Sequence, residues 1–308
     1  MSERLNVNAQ FDVLGDVLET LRFRGSVFFR SQLAAPWGME LIKPIGPRFH
    51  IAMSGRCVVG ITAGEQVQVN PNDVVMIPNG HSHWIADEHG RELASSDEAS
   101  EACMLGDPMF QGGKITNSLI CGLVNLERRV AHPLLDALPA IVHFPNLAST
   151  SALWSTINLI DGEMHRAGHH GGPIVDRLTE VLFLQLLDRF VSEHHPARGF
   201  LAALADRRIS QALSLIHQEP EFDWSLAALG ERIGMSRATL VRHFQDTVGV
   251  SPMTYIVNWR LMKAYNLIRY SNVNFEDIAL QVGFASARTL SRAFKRQYGR
   301  TPSEVRKG

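Results

Sequence analysis

Nothing in these 308 residues approaches the run of about 20 apolar side chains that a membrane-spanning helix requires, so no membrane partner is expected. The first residues, Met1–Phe11, lack the basic-then-apolar pattern of a secretory leader, and a cytoplasmic protein is expected. Cysteine is scarce. The three present, Cys57, Cys103 and Cys121, show no Cys-x-x-Cys spacing, and an odd number in a cytosolic chain argues against a disulfide framework. Phosphate-binding loops, zinc-protease motifs and a Ser-His-Asp set are also missing. No catalytic residue is assigned, and no cofactor is expected.

What is present divides the chain in two, as its length suggests. The net charge is only −1, but from Leu201 onward there are 15 basic and 9 acidic residues, against 15 basic and 22 acidic before it. That asymmetry points to a polyanionic partner for the second half. The segment His194–Gly199, with Pro196 and Gly199, reads as a linker. Domains are therefore expected at 1–196 and 197–308.

Between Phe49 and Ile85, short β-prone runs such as Cys57–Ile61, Glu65–Val69 and Val74–Ile77 alternate with tight-turn signals, the pattern of a sandwich or barrel. Ser118–Leu126 is a further candidate strand. Residues 87–107 carry seven acids against one Arg91, and a surface loop is expected there. From Ser151 the apolar period becomes helical. A helix over 173–192 is apolar on two sides: Ile174, Leu178, Val181 and Leu182 on one, Phe183, Leu186, Leu187 and Phe190 on the other. One side can pack on the β-domain. The other can pack internally or on a second copy of the chain, which makes a homodimer an expectation.

The second half contains an internal repeat. Gly234-Met235-Ser236-Arg237-Ala238-Thr239-Leu240-Val241-Arg242-His243-Phe244 is echoed by Gly283–Phe294, with Thr239-Leu240, Arg242, Phe244, Gly249 and Pro252 all recurring at an offset of 50. Each copy reads as helix-turn-helix. The glycine closes a short helix. Ser236 or Ser286 caps the next. The pairs Leu240/Phe244 and Leu290/Phe294 anchor its inner face. Ser236, Arg237, Ala238, Thr239, Val241 and Arg242, and in the second copy Ser286, Ala287, Arg288, Thr289, Arg292 and Lys295, are the expected contacts to double-stranded DNA. Arginine suits this role because its fork bonds guanine O6 and N7 together. A third helix, about Pro252–Ser271, would span ~30 Å, close to the ~34 Å of one DNA turn.

The stretch Trp224–Arg306 resembles the AraC family of bacterial regulators, through Gly-Met-Ser, Trp259-Arg260-Leu261, Ile278-Ala279, Val282-Gly283-Phe284 and Thr301-Pro302. The resemblance implies two DNA-binding motifs joined by a helix, reading an asymmetric site near a promoter. By family habit it also implies an activator, with RNA polymerase as a further partner. Ala238 and Val241 depart from the larger or polar groups usual there, so the second recognition helix is expected to carry more of the base readout.

The first domain is similar to the cupin-type sensor of one AraC subgroup, through Gly25–Phe29, Ala35–Gly38, Pro78–His83, Leu119–Gly122 and His132–Leu135. The overall class is then α+β: a cupin-like β-barrel with flanking helices, followed by an all-α domain. A barrel mouth lined by Trp37, Phe49, Met53 and Trp84 could hold an unidentified small-molecule effector; equally, these side chains could be core. His50, His81 and His83 are weak metal candidates, because the first cupin metal motif is absent and no metal is assigned. Cys57 and Cys121 could sense oxidants if their strands neighbour each other, or serve as small buried apolar groups. The rival function is a metal-dependent cupin enzyme with an accessory helical domain; another is a constitutive architectural DNA binder.

Overall fold

Alternating side chains build the first half. A computed structural model describes residues 12–21, 24–42, 46–61, 64–104, 109–125, 134, 138–167, 172–193 and 199–307. It contains β1 (Arg24–Leu33), β2 (Gly38–Leu41), β3 (Arg48–Ser54), β4 (Cys57–Ile61), β5 (Gln66–Val69), β6 (Val74–Ile77), β7 (His83–Ala86), β8 (Ala94–Ser95), β9 (Asn117–Asn125) and β10 (Val142–Phe144). Two five-stranded sheets form, ordered β1-β9-β3-β6-β10 and β5-β4-β7-β2-β8. All pairs are antiparallel except β2 with β8. In the second sheet Cys57 pairs with Val69 and Val59 with Val67, and these residues face a shared core with Trp37, Val75, Ile77, Leu119 and Cys121. Gln66 and Gln68, one position out of step, point to solvent, as a period of two requires.

Helices α3 (Ala152–Ala167) and α4 (Pro173–Glu193) complete this unit. Arg30 on β1 donates to Asp161 on α3 at 2.7 Å. On α4 the side carrying Phe183, Leu186, Leu187 and Phe190 is buried, and Leu182 from the other side joins it. Ile174 and Val181 remain 52% and 44% exposed, so only part of the second apolar side is covered within the chain. The acidic stretch differs from the expected loop: it holds β8 and a helix, α2 (Ser96–Met104). Acids in its first turn, Asp97 and Glu98, favour a helix start, since the N-terminal end carries partial positive charge.

The second unit is helical and includes α1 (Val13–Leu21) together with α5 (Phe200–Ala205), α6 (Arg207–Gln218), α7 (Leu226–Arg232), α8 (Arg237–Val248), α9 (Pro252–Tyr270), α10 (Phe275–Gln281), α11 (Ala287–Tyr298) and α12 (Pro302–Lys307). Chain order assigns α1 to the first domain, whereas its packing is with these helices. Asp16 on α1 pairs with His217 at 2.8 Å and Lys263 at 3.1 Å, and Asn266 donates to the Thr20 carbonyl. His217 is buried, stacked 3.8 Å from Trp259, and bonded to the Tyr255 hydroxyl. Of the expected linker His194–Gly199, residues 194–198 lie outside the described residues and Gly199 precedes the first turn of α5; His132, Pro133 and Leu135 of the cupin resemblance also lie outside them.

Candidate nucleic-acid interface and effector cleft

Two short helix pairs, α7–α8 and α10–α11, repeat one local design. Gly234 and Gly283 end α7 and α10 at φ +66° and +84°, in the left-handed region that side chains resist. At Gly283 a side chain would also strike the Pro220 carbonyl, 2.6 Å from where its Cβ would sit. Ser236 and Ser286 then cap α8 and α11 by accepting from the backbone N–H of Thr239 and Thr289. The Thr239 and Thr289 hydroxyls bond back to those caps. All four residues, expected as DNA contacts, therefore have hydroxyls committed to shaping the helix start. Leu240, Phe244, Leu290 and Phe294 are fully buried, which fixes the opposite faces outward.

The outward faces carry Arg237, Ala238 and Arg242 on α8 and Arg288, Arg292 and Lys295 on α11, all exposed, with Val241 and Ala287 half-buried. Arginines here fall into two sets. Arg260 donates to the carbonyls of Pro220, Phe222 and Gly283, clamping α9 to the approach to the first unit and the turn of the second. Arg232 pairs with Glu219, and Arg306 donates to the Ile268 and Val273 carbonyls. By contrast Arg237, Arg242, Arg288 and Arg292 make no hydrogen bond or ion pair among the described residues. An uncommitted guanidinium on a rigid helix is ready for phosphate or guanine. Sequence reading missed Gln245 and Arg296, both exposed on the same faces. Spacings of three and four from Arg242 and Arg292 are the signal that would have found them. The connector α9 has 19 residues, a length of about 28 Å.

In the first unit the sensor candidates separate. Trp37 and Phe49 are sealed in the interior, 1% and 0% exposed, and the Trp37 indole donates to Asn117. Neither lines a mouth: Trp37, just before β2, packs in the inter-sheet core, whereas Phe49, whose register partners are Gly122 and Met76, is buried on the other face of its sheet. Met53 is half-buried near the end of β3. Trp84 lies on the opposite side of its sheet, flat over Gly60, where a Cβ would fall 2.5 Å from the ring. It helps wall a cleft of about 650 Å³ with Glu40, Glu65, Leu41, His83 and His89. That volume suits a small organic molecule.

His50, His83 and Cys121 form a buried chain of contacts. His83 Nδ1 lies 2.8 Å from the His81 carbonyl, His83 Nε2 is 2.8 Å from His50 Nε2, and His50 Nδ1 is 3.0 Å from Cys121 Sγ. A carbonyl only accepts, so His83 Nδ1 carries hydrogen. Neutral His83 must then accept at Nε2, His50 must donate from Nε2, and Cys121 must donate its thiol proton to His50 Nδ1. The charges agree. Burial holds His50 well below its ordinary value, helped by His83 and Arg48, and burial takes His83 down to about 4. Burial pushes both thiols up to about 12. These three residues make a directional hydrogen-bonded chain. As metal candidates His50, His81 and His83 do not converge: His81 contributes its carbonyl, and no group of three or more His, Cys, Asp or Glu among the described residues is placed to hold a metal ion. Cys57 and Cys121 sit in different sheets, facing one core as free, buried thiols rather than on adjacent strands. A thiol kept protonated is a poor nucleophile, so this setting favours the packing role over the oxidant-sensing one.

Residues 12–191 match a family model described as cupin, and residues 229–308 match one described as a helix-turn-helix domain. The HTH-type transcriptional regulator AlkR of Acinetobacter baylyi is 26% identical across 96% of this chain and 99% of its own length. An AraC-like transcription regulator of Streptomyces lividans is 27% identical across 96% and 98%. The HTH-type transcriptional regulator MtrA of Neisseria gonorrhoeae is 26% identical across the same shares.

Proposed function

Because the chain belongs to the AraC family of transcription regulators and carries a cupin domain ahead of its helix-turn-helix units, we propose that it binds an asymmetric promoter site and is switched by a small molecule. In this reading α8 and α11 enter successive major-groove segments on one face of the DNA, and RNA polymerase is recruited beside them. The carrying observation is the pair of capped helices whose arginines stay uncommitted while neighbouring arginines are spent on the fold. The connector length, near one DNA turn, supports simultaneous engagement.

The effector enters the cleft walled by Trp84. Among the described residues its lining holds the carboxylates of Glu40 and Glu65 and no lysine or arginine, which favours a neutral or cationic molecule over an anion. The rival reading, a metal-dependent enzyme, has less support, since relatives matching 96% of the chain carry regulator names. Genome-wide mapping of bound sites, followed by gel shifts on the enriched promoters, tests the proposal. Enrichment at a common asymmetric motif is expected, and its adjacent genes name candidate effectors. Uniform, sequence-blind occupancy would overturn it.

A further inference from the structure

The two recognition helices differ in chemistry at equivalent positions. Counting by the offset of 50, Ala238 stands opposite Arg288, Val241 opposite Ser291, Gln245 opposite Lys295 and Asp246 opposite Arg296. Of the outward positions, Arg242 and Arg292 agree, as do the cap-bonding Thr239 and Thr289. The outer face of α11 is thus densely cationic, whereas that of α8 mixes Arg237, Arg242 and Asp246 with the uncharged Ala238, Val241 and Gln245. On α8 the residues at spacings 0, 3, 4 and 7 are Ala238, Val241, Arg242 and Gln245, one continuous stripe. An open hollow lies along it, floored by Leu226, Ala238 and Val241 and rimmed by Arg237, Arg242, Gln245 and Asp246.

We propose that this hollow reads thymine through its C5 methyl group, making Ala238 and Val241 specificity-determining residues of the first helix-turn-helix unit. The inference rests on the promoter-binding reading above and adds a chemical code to it. Thymine is the one base that shows an apolar group in the major groove, and short apolar side chains are its natural contacts. The rim fits the same assignment. Arg242 offers a fork to guanine, and Gln245 can bond both N6 and N7 of adenine, which on the complementary strand accompanies each thymine. The Asp246 carboxylate would repel a phosphate, so this end of the stripe faces bases rather than backbone. On α11, Arg288, Ser291, Arg292 and Lys295 present no comparable apolar surface, so the second half-site is read by hydrogen bonds and held by charge.

The test begins with selection of bound duplexes from a random library by the full-length protein. Each thymine of the selected site is then replaced singly by deoxyuridine, which removes the methyl and leaves every hydrogen-bonding group unchanged. At one or more thymines under α8 the affinity should fall about fourfold, the equivalent of ~0.8 kcal/mol for one buried methyl. Replacements under α11 should change it less than twofold. Val241→Ser, which installs the residue of the second unit at a half-exposed position, should bind thymine and deoxyuridine sites equally while keeping its helical circular dichroism. A selected site that tolerates deoxyuridine throughout the α8 half would overturn the proposal and leave the promoter reading intact. A selection that enriches no sequence would overturn both.

Discussion

The buried histidines set a pH dependence. In an unfolded chain His83 takes up a proton near pH 6.5, whereas in the folded chain burial holds it back until about pH 4. The folded state therefore binds fewer protons across this window, and its stability is complete above pH 6.5 and declines as pH falls toward 4. The shift corresponds to roughly 3 kcal/mol, with His50 acting in the same direction. Thermal melts of the full chain should show a lower Tm at pH 5 than at pH 7, with a shallower dependence in His83→Asn. A Tm that rose on acidification would contradict the buried, neutral pair. At the DNA face, Arg292→Ala should relax base preference at one position at a cost of ~1–3 kcal/mol. Lys295→Ala should weaken binding evenly across sequences and reduce the salt slope by about one. Binding curves on the selected site and on single-base variants separate the two outcomes, and an Arg292→Ala protein with unchanged affinity and preference would remove α11 from the groove.

Helices were more readable than strands. The glycine, serine cap and buried pair of each helix-turn-helix unit are local features repeated at a fixed interval, and they appear where the pattern placed them. The capping box Ser95-x-x-Glu98 announced α2, but the density of acid around it masked the signal; Ser95 and Glu98 do bond reciprocally to the helix start. For strands, alternation tells which residues share a face but not which face is inward. Trp37 and Phe49 were for that reason candidates for a mouth and proved to be core, while Trp84 lines the cleft. At this scale two glycines make a comparison. Gly234→Ala adds a Cβ into open space and should cost only the left-handed backbone penalty, ~1–2 kcal/mol. Gly283→Ala adds a collision with the Pro220 carbonyl and the Arg260 guanidinium, so chemical denaturation should show the larger loss for Gly283→Ala. Equal losses would mean that the close packing at Gly283 is not maintained in solution.

For the whole molecule, the charge partition pointed to two parts, while the change of hydrophobic period near Ser151 falls inside one compact unit, where α3 and α4 accompany the sheets. The place of α1 was not legible, because nothing in a single sequence says which later helix an early one will meet. Its attachment through Asp16, Lys263 and His217 is polar and long-range. The exposed Ile174 and Val181 on α4 leave an apolar strip that a second copy can cover. Sedimentation should then report a dimer that Val181→Glu disperses, and monomer at all concentrations for the parent chain would end that expectation. Five base pairs inserted between the two half-sites turn one by about half a revolution, and should reduce affinity to that of a single unit.

The Arg260 clamp implies a particular kind of failure. Its three carbonyl partners belong to both reading heads, so removing the guanidinium leaves each head whole but lets the angle between them wander. An Arg260→Ala chain would grip isolated half-sites as before and lose the bonus for finding both in register, turning a caliper into two loose jaws.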